Sequence, residues 1–499
     1  MQIRVDEQKC TGCNVCVRVC PQMILEVVEK TMRVRDDGEA RCMGCFGCED
    51  ECPASAVRVL RAPQSVSDIQ IEPPLNVDSC DVAIVGAGPS GVGAAITCAK
   101  AGLDVVVFER LPNRTLSHHT DGGVLFTFPE MTSIQVDEQH VAFPGLDISI
   151  NARIAKKCGF LGLLGPDELS TDNRFPASLE CWAGDKDTFM EALINEAEAQ
   201  GAKFWFNAKV EDVLKDGDAV AGVKLNGGQE IRAKVVVTAD GVLARVSEKA
   251  GMRINKDDLW YASVLAFEYD NAANLPGGLY YLNGDMQFDD DMPVAFGGLG
   301  ITEVIHVLIA FLSRKKWHAA PKPMDYYVGR LLERDARVHR IVGDALNNAQ
   351  PKMLTGCRGV FRAESNTHPV GNGVISVGDA WVDDGEIGNV GALANGVFAG
   401  RVIVEAAQRH DFSEAALLRA KDFVSPKLVR ALAENKKMKL LSTRFNDDDM
   451  RHMFLMMQHM NYPVLLLGSK MQQAGMFTKF FAKNLINFVK YPNIVKAFL

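Results

Sequence analysis

The stretch Asp81-Val82-Ala83-Ile84-Val85-Gly86-Ala87-Gly88-Pro89-Ser90-Gly91-Val92-Gly93-Ala94-Ala95-Ile96 decides the fold of most of this chain. The run Val82–Val85 has no polar alternation, which predicts a strand buried on both faces. A Gly-x-Gly-x-x-Gly turn follows, and small residues then continue at helical spacing to Ala101. A second apolar strand, Val105–Phe108, ends at Glu109, 18 residues after Gly91. In such a unit Gly86 permits the tight turn, Gly88 lets the backbone approach a pyrophosphate, and Gly91 lets helix and strand pack closely. Phosphates lie at the helix N-terminus, and Glu109 is placed to accept hydrogen bonds from a ribose. The glycines alone are a weak signal. Their strand–turn–helix–strand–acid context reads as a dinucleotide site.

Upstream, residues 62–79 are rich in Pro, Ser and other polar groups without periodicity, as a linker should be. Before them the cysteines crowd. Eight of the chain's 13 Cys fall between positions 10 and 52. Cys10-x-x-Cys13-x-x-Cys16-x-x-x-Cys20-Pro21 recurs as Cys42-x-x-Cys45-x-x-Cys48-x-x-x-Cys52-Pro53. This is the ligand run of two 4Fe–4S clusters, in which the fourth Cys serves the other cluster. One cluster then takes Cys10, Cys13, Cys16 and Cys52, the other Cys42, Cys45, Cys48 and Cys20. Three thiolates on a tight loop wrap one face of a cubane, and the Pro turns the chain away without needing a backbone donor. Structural zinc is the bland alternative, but it favours two separated Cys pairs per ion. Ile3-Arg4-Val5 and Met32-Arg33-Val34 each read as a short strand before a loop. A disulfide framework is not expected, because the chain opens without a basic and apolar leader and so reads as cytoplasmic. This segment, residues 1–61, resembles the two-cluster bacterial-type ferredoxin domain.

Composition frames the rest. At 499 residues the chain exceeds what one core usually serves. Its 54 Lys+Arg against 63 Asp+Glu give a net charge of -9, which argues against nucleic-acid binding. No uncharged apolar stretch reaches the roughly 18 to 20 residues that span a bilayer.

Downstream pieces follow in a telling order. Trp182 leads into a helix over Lys186–Leu193, then Gly201–Phe206 and Ala208-Lys209-Val210. The strand Lys234–Thr238 ends at Asp240-Gly241, and Gly373–Val377 ends at Gly378-Asp379 before a Gly-rich helix start through Gly388, Gly391 and Gly396. These pieces resemble the FAD-binding fold of the glutathione-reductase and hydroxylase superfamily. That resemblance implies FAD, with Asp379 at the ribityl–phosphate region and Val210, Asp240, Gly378 and Gly391 also along the cofactor. Within the superfamily, residues 80–499 resemble the group of electron-transfer flavoprotein–quinone oxidoreductases, Fix flavoproteins and geranylgeranyl reductases. The motifs behind this are Ser117-His118-His119-Thr120-Asp121-Gly122-Gly123, Gly277-Gly278-Leu279-Tyr280-Tyr281 and His410–Leu418. The family places a Gly-Gly such as Gly122-Gly123 near the flavin, so His118 and His119 become candidate proton donors. The aromatic-Pro motif of archaeal lipid reductases is missing around 280–300, and the loop after Asp379 is unusually acidic.

The implied architecture is α/β. A ferredoxin-like α+β domain (1–61) and the linker (62–79) precede a Rossmann-like FAD fold split into 80–250, with a flavin-proximal insertion at about 111–180, and 366–410. An inserted antiparallel-sheet substrate domain (251–365) and a C-terminal helical region (411–499) complete it. No second dinucleotide unit is evident; Gly297-Gly298-Leu299-Gly300 lacks the acid and the helix. The expected function is an FAD and 4Fe–4S oxidoreductase joining a one-electron protein carrier, ferredoxin or electron-transfer flavoprotein, to a lipophilic organic acceptor such as a quinone. The alternatives are ferredoxin-dependent saturation of isoprenoid C=C bonds, and a non-catalytic electron-transfer subunit. From Arg451 to Leu499 there are six Lys/Arg and no Asp or Glu. Lys479, Lys483 and Lys490 share one helical stripe, with Phe477, Phe481, Leu485, Phe488 and Val489 opposite, so 451–499 is a candidate for peripheral contact with the inner face of a membrane.

Overall fold

The structure, a computed structural model, describes residues 1–60, 74–111, 114, 124–126, 133–137, 139–152, 156–157, 160–164, 170–174, 181–183, 186–254, 259–268, 278–282, 294–301, 305–311, 322–342, 352–362, 366, 368–382, 388–423, 451–453, 455–456 and 470–490.

Residues 2–60 form a small α+β module. β1 (Gln2–Val5) pairs antiparallel with β4 (Val57–Leu60), so its two ends close on each other. Between them β2 (Leu25–Val28) and β3 (Thr31–Val34) form a hairpin. The short helices α1 (Val15–Val19), α2 (Gly38–Arg41) and α3 (Gly47–Asp50) complete it. Both strands expected before the Cys loops are present, but they pair differently, β1 with β4 and β3 with β2. The hairpin turn at Glu29 and Lys30 has φ of 48° and 66°, positive at both positions as a tight two-residue hairpin requires. Gly12 packs on that turn so closely that a Cβ would lie 2.7 Å from the Lys30 carbonyl oxygen.

The largest sheet carries the strand order Lys203–Trp205, β6 (Val105–Phe108), β5 (Ser79–Val85), Glu230–Thr238, Ala219–Leu225, Val210–Asp216, with Val374–Ser376 added parallel to Glu230–Thr238. β5 and β6 are parallel, and Val82–Val85 and Val105–Phe108 are all buried, as a strand covered on both faces demands. α4 (Pro89–Lys100) crosses from one to the other, with Pro89 in its first turn where no backbone donor is missed. The long helix Gly388–Gln408 packs along α4. By length and composition it could cross a membrane, yet 72% of its most apolar window is buried inside the protein, as befits a core helix. Its Gly396 lies so close to α4 that a Cβ would stand 1.9 Å from the Ser90 carbonyl oxygen; Gly93 of α4 meets the Leu393 carbonyl in the same way, at 2.5 Å.

A second, seven-stranded sheet has the order Ser170–Arg174, Phe160–Leu164, Gly278–Leu282, Val294–Ile301, Ile305–Phe311, Leu259–Glu268, Lys352–Arg362. Its neighbours are antiparallel except Phe160–Leu164 with Gly278–Leu282. Two of its strands come from 160–174, so part of the flavin-proximal insertion expected at about 111–180 belongs to this second sheet. Gly297–Gly300 lies inside one of these strands and not in a phosphate-binding turn. After the long helix, Ser413 caps Glu414–Leu417 by accepting from the Ala416 N–H, and Leu417 is buried in the main core.

The C-terminal helix Lys470–Lys490 turns inward a face that the stripe did not include. Phe480 and Asn484 are buried, and the Asn484 Nδ2 donates to the Met456 and Phe480 carbonyls. Phe481 and Leu485 are instead 48% and 68% exposed.

Replacing Gly396 with Ala should drive the long helix off α4 and destabilise the protein by about 1–3 kcal/mol, the usual cost of overpacking. A fall in thermal midpoint is expected; an unchanged midpoint would show that the helices tolerate wider spacing.

Candidate functional site

The eight clustered cysteines divide in space as their spacing suggested. Cys10, Cys13, Cys16 and Cys52 line one cavity together with Gly12 and Asn14; Cys20, Cys42, Cys45 and Cys48 line a second with Met43 and Phe46. Backbone repeats at each loop. Gly12 and Gly44 have φ of 66° and 69°, and Asn14 and Phe46, each one residue after a Cys, have 61° and 55°. These left-handed residues curl each loop around its cavity. Among the described residues no three His, Cys, Asp or Glu groups stand close enough to hold a single metal ion. The thiols ring a space instead, which fits a multi-atom cluster.

Burial pushes the Cys16 thiol up to about 11, and the neighbouring Cys52, Cys13 and Cys10 add to the rise. Burial likewise raises Cys48 well above the ordinary thiol range, with Cys45, Cys20 and Cys42 as its repelling neighbours. Cys20 and Cys42 are raised by burial too. Four thiolates cannot be gathered in either cavity without positive charge between them, and iron supplies that charge.

The flavin-side residues meet at the C-terminal ends of β5, β6 and Val374–Ser376. Gly86 has φ of 104°, and its Cβ would lie 2.4 Å from the Ala239 oxygen; a Cβ on Gly91 would lie 2.0 Å from the Gly86 oxygen. Both are demanded by the protein's own packing. Gly88 alone faces open space, which leaves room there for a pyrophosphate beside the N-terminus of α4. Glu109 is buried at the end of β6, where its carboxylate accepts from the Ala87 N–H at 2.9 Å and the Leu111 N–H at 3.0 Å. Burial raises its pKa, opposed by hydrogen bonds from the backbone of Ala87, Leu111 and Arg110. Val210 is buried at the start of its strand, two residues after Ala208, whose N–H donates to the Glu109 carbonyl.

Gly378 turns with φ of 59°, and Ser90 fills the place of its missing Cβ at 2.3 Å. Asp379 next to it is exposed at the mouth of this loop. Gly391 is buried within the first turns of the long helix. Asp240 also has a structural task. Its carboxylate accepts from the Val246 N–H at 2.6 Å and the Ser247 hydroxyl at 2.7 Å, fixing the short helix Arg245–Lys249. Ser247 and Thr238 extend this to Ser376, a hydroxyl chain joining two strand ends. His118, His119, Gly122 and Gly123 lie outside the described residues.

Asn395 went unread in the sequence. It is fully buried in the long helix, and its Oδ1 accepts the Gly378 N–H at 2.7 Å, pinning the Gly-Asp turn. Its Nδ2 has no protein partner, an orphaned donor beside the cofactor cradle. Nothing in local sequence distinguishes it from other polar residues of a Gly-rich helix.

Comparisons with known proteins agree with this geometry. Residues 79–272 match the family model of an FAD binding domain, and residues 2–53 match that of a 4Fe-4S dicluster domain. A probable electron transfer flavoprotein-quinone oxidoreductase of Escherichia coli is 31% identical over 35% of this chain and 39% of its own length. A digeranylgeranylglycerophospholipid reductase of Haloferax volcanii is 28% identical, and the chain spans 50% of it. A second such reductase, from Methanococcoides burtonii, is 24% identical over 78% of this chain and 91% of its own. The chain thus spans half or less of the first two relatives. Among solved structures, a geranylgeranyl bacteriochlorophyll reductase-like protein from Thermoplasma acidophilum shares the fold with a TM-score of 0.64 at 19% identity, covering 83% of this chain and all of that one. The chain carries an FAD binding domain and a 4Fe-4S dicluster domain, and it is similar in sequence to these quinone oxidoreductases and lipid reductases.

Because burial raises the Glu109 carboxyl above 4.5, the unfolded chain loses this proton first. The FAD-free protein should therefore lose stability as pH rises from about 4.5 toward the raised value. A Glu109→Gln variant should lack that slope in urea midpoints, while leaving one buried N–H unpaired at a cost of about 1–3 kcal/mol. Parallel pH profiles for the two proteins would refute the assignment.

Proposed function

We infer that the protein passes electrons from a one-electron carrier protein, ferredoxin or electron-transfer flavoprotein, through its own Cys-held clusters to FAD and on to a lipophilic acceptor such as a quinone. The observation that carries this reading is the contact between module and flavin domain. Phe46, between Cys45 and Gly47 of the second Cys loop, is covered by the Arg110 guanidinium at 5.9 Å, and Arg110 directly follows Glu109. Leu111 joins the apolar core of the cysteine module, and Lys209 donates to Ser55 at 3.4 Å. A cluster-bearing module seated beside a nucleotide-binding acid is arranged to exchange electrons with that nucleotide. When bound, each cluster supplies one-electron steps and FAD supplies the two-electron step, with two protons, that an organic acceptor needs.

The chain's own groups do the holding. The loops Cys10–Cys16 and Cys42–Cys48 would each hold a cluster, Glu109 orients the ribose, and Gly88 admits the pyrophosphate. The relatives' names favour two acceptor classes, quinones and unsaturated isoprenoid lipids. The quinone reading comes first, since the chain lacks the aromatic-Pro motif of the lipid reductases. Peripheral attachment to the cytoplasmic face of a membrane belongs to this proposal. Met471 is 83% exposed and lies on the same helix as exposed Phe481, Leu485, Lys479 and Lys483, an apolar surface with basic neighbours suited to anionic lipid.

Two outcomes are expected. A Cys13→Ser variant should lose flavin reduction by reduced ferredoxin while photoreduced FAD still turns over with a quinone; persistent ferredoxin-driven reduction sinks the relay, and turnover with prenyl lipid but not quinone reverses the order of acceptors. Sedimentation with phosphatidylglycerol liposomes should be salt-sensitive and fall about tenfold in Phe481→Glu/Leu485→Glu, as loss of buried apolar area predicts; unchanged sedimentation ends the membrane proposal.

A further inference from the structure

The two Cys loops repeat one motif and one backbone, but they do not carry the same side chains between their cysteines. The first reads Cys10-Thr11-Gly12-Cys13-Asn14; the second reads Cys42-Met43-Gly44-Cys45-Phe46. At the two positions that vary beside each Gly-Cys pair, polar residues in one loop become apolar in the other. Burial follows the chemistry. Thr11, Cys13 and Asn14 are exposed, whereas Met43 and Phe46 are 2% and 3% exposed. Asn14 takes its left-handed conformation readily, since its short polar side chain tolerates it. Phe46 takes the same conformation against preference, which for a bulky aromatic marks local strain held in place by its surroundings.

Those surroundings belong to the rest of the chain. Besides Arg110 and Leu111, the helix Met324–Arg334 closes on the segments flanking the second cavity. The Met324 N–H donates to the Pro21 carbonyl at 2.9 Å, and the Asp325 N–H donates to the buried Gln22 Oε1 at 3.1 Å. Arg41, next to Cys42, donates from Nε and Nη2 to the Asp325 carboxylate, each at 3.3 Å. The hydrogen bonds and the Arg110 contact flank Cys20, Cys42 and Cys45, and none falls on Thr11, Cys13 or Asn14; the Lys209–Ser55 bond, near Cys52, leaves those three residues exposed as well. A duplicated motif has been differentiated into an outward loop and a sealed one.

We propose that the order of the relay is fixed by this asymmetry: the loop Cys10–Cys16 is the docking surface for the external one-electron carrier protein, and the loop Cys42–Cys48 is the sealed contact to the flavin domain. The proposal rests on the relay reading above and adds its direction through the module. Each docking event oxidises the carrier by one electron and reduces the group held by Cys10, Cys13, Cys16 and Cys52 by one; no bond forms or breaks. Electron transfer needs close approach, and the exposed Cys13 edge is where a protein-sized carrier gains it. The apolar pair Met43 and Phe46 keeps water and foreign reductants from the second group.

The test uses the full-length holoprotein under anaerobic conditions with bathophenanthroline disulfonate as iron chelator and iodoacetamide as trap, read by peptide mass spectrometry. Cys10, Cys13, Cys16 and Cys52 should be alkylated about tenfold faster than Cys20, Cys42, Cys45 and Cys48, because thiol reaction follows access. Equal rates, or the reverse order, overturn the proposal. Asp325→Ala, outside both cofactor sites, should narrow the gap by speeding only the second set; acceleration of the first set instead would also count against it. A Thr11→Trp variant should slow flavin reduction by reduced ferredoxin about tenfold more than it slows reduction by titanium(III) citrate, as blocked docking lowers an association rate. If ferredoxin reduces wild type and variant equally, the port is elsewhere and the relay survives. If ferredoxin fails to reduce the wild-type flavin at all, the relay reading itself falls.

Discussion

Everything on the flavin side depends on how closely α4 and the helix Gly388–Gln408 approach. Gly93 and Gly396 bring backbone against backbone, with Gly396 on Ser90 and Gly93 on Leu393. That spacing delivers the N-terminus of α4 and the Gly378-Asp379 turn to the same strand ends, so the phosphate-binding turn and the second cofactor loop become neighbours. Ser90 then fills the notch that Gly378 leaves, and Asn395 holds the Gly378 N–H from the other helix. One methyl group at this seam would separate two halves of a binding site that lie almost 300 residues apart in sequence. The site is a by-product of helix packing.

The cysteine module obeys a different constraint, electrostatic and not steric. Its thiols lie within reach of one another, and burial, with repulsion from neighbouring groups, raises Cys16, Cys20, Cys42 and Cys48 above the ordinary thiol range. The fold therefore cannot be complete on its own account, since the cavities need a positively charged occupant to let four thiolates coexist. Crossing the fourth ligand between halves, Cys52 to the first cavity and Cys20 to the second, makes each occupant a staple for both loops. A module with so few residues has little core with which to hold itself together, and the staples take that role.

How much of this could be read in the sequence follows from how local each constraint is. The Gly86–Gly91 turn and the Cys runs were legible because their chemistry demands fixed spacing within a dozen residues. Glu109 was legible because β6 must end beside the turn. Asp240 shows what spacing leaves out: a strand-end Asp before a Gly reads as a ligand contact, while its bonds to Ser247 and the Val246 N–H, a few residues on, leave no mark in that motif. The C-terminal helix was ambiguous for a related reason. Phe477, Phe480, Phe481 and Leu485 satisfy helical spacing for two faces, and only the distant Met456 carbonyl, through Asn484, selects Phe480 as the buried one. The recruitment of Phe160–Leu164 beside Gly278–Leu282 left no local trace either, since a parallel partner more than a hundred residues away imposes no spacing.

Phe46 shows where the two domains' constraints meet. An aromatic side chain in a left-handed conformation costs free energy that an Asn at the matching position, Asn14, does not. The cysteine motif cannot require it, because the first loop curls around its cavity without it. The ring's use lies outside the module, under Arg110 and beside Leu111. Both follow Glu109, whose carboxylate braces the Ala87 and Leu111 N–H groups. Strain in one loop is thus balanced by packing onto the segment that orients the nucleotide. A displaced Phe46 would disturb Leu111 and through it the Glu109 hydrogen bonds, so the seam couples the second cavity mechanically to the ribose end of the flavin site. Phe46 thus adds an aromatic contact to the hydrogen bonds at Pro21, Gln22, Arg41 and Ser55 that already join the module to the rest of the chain.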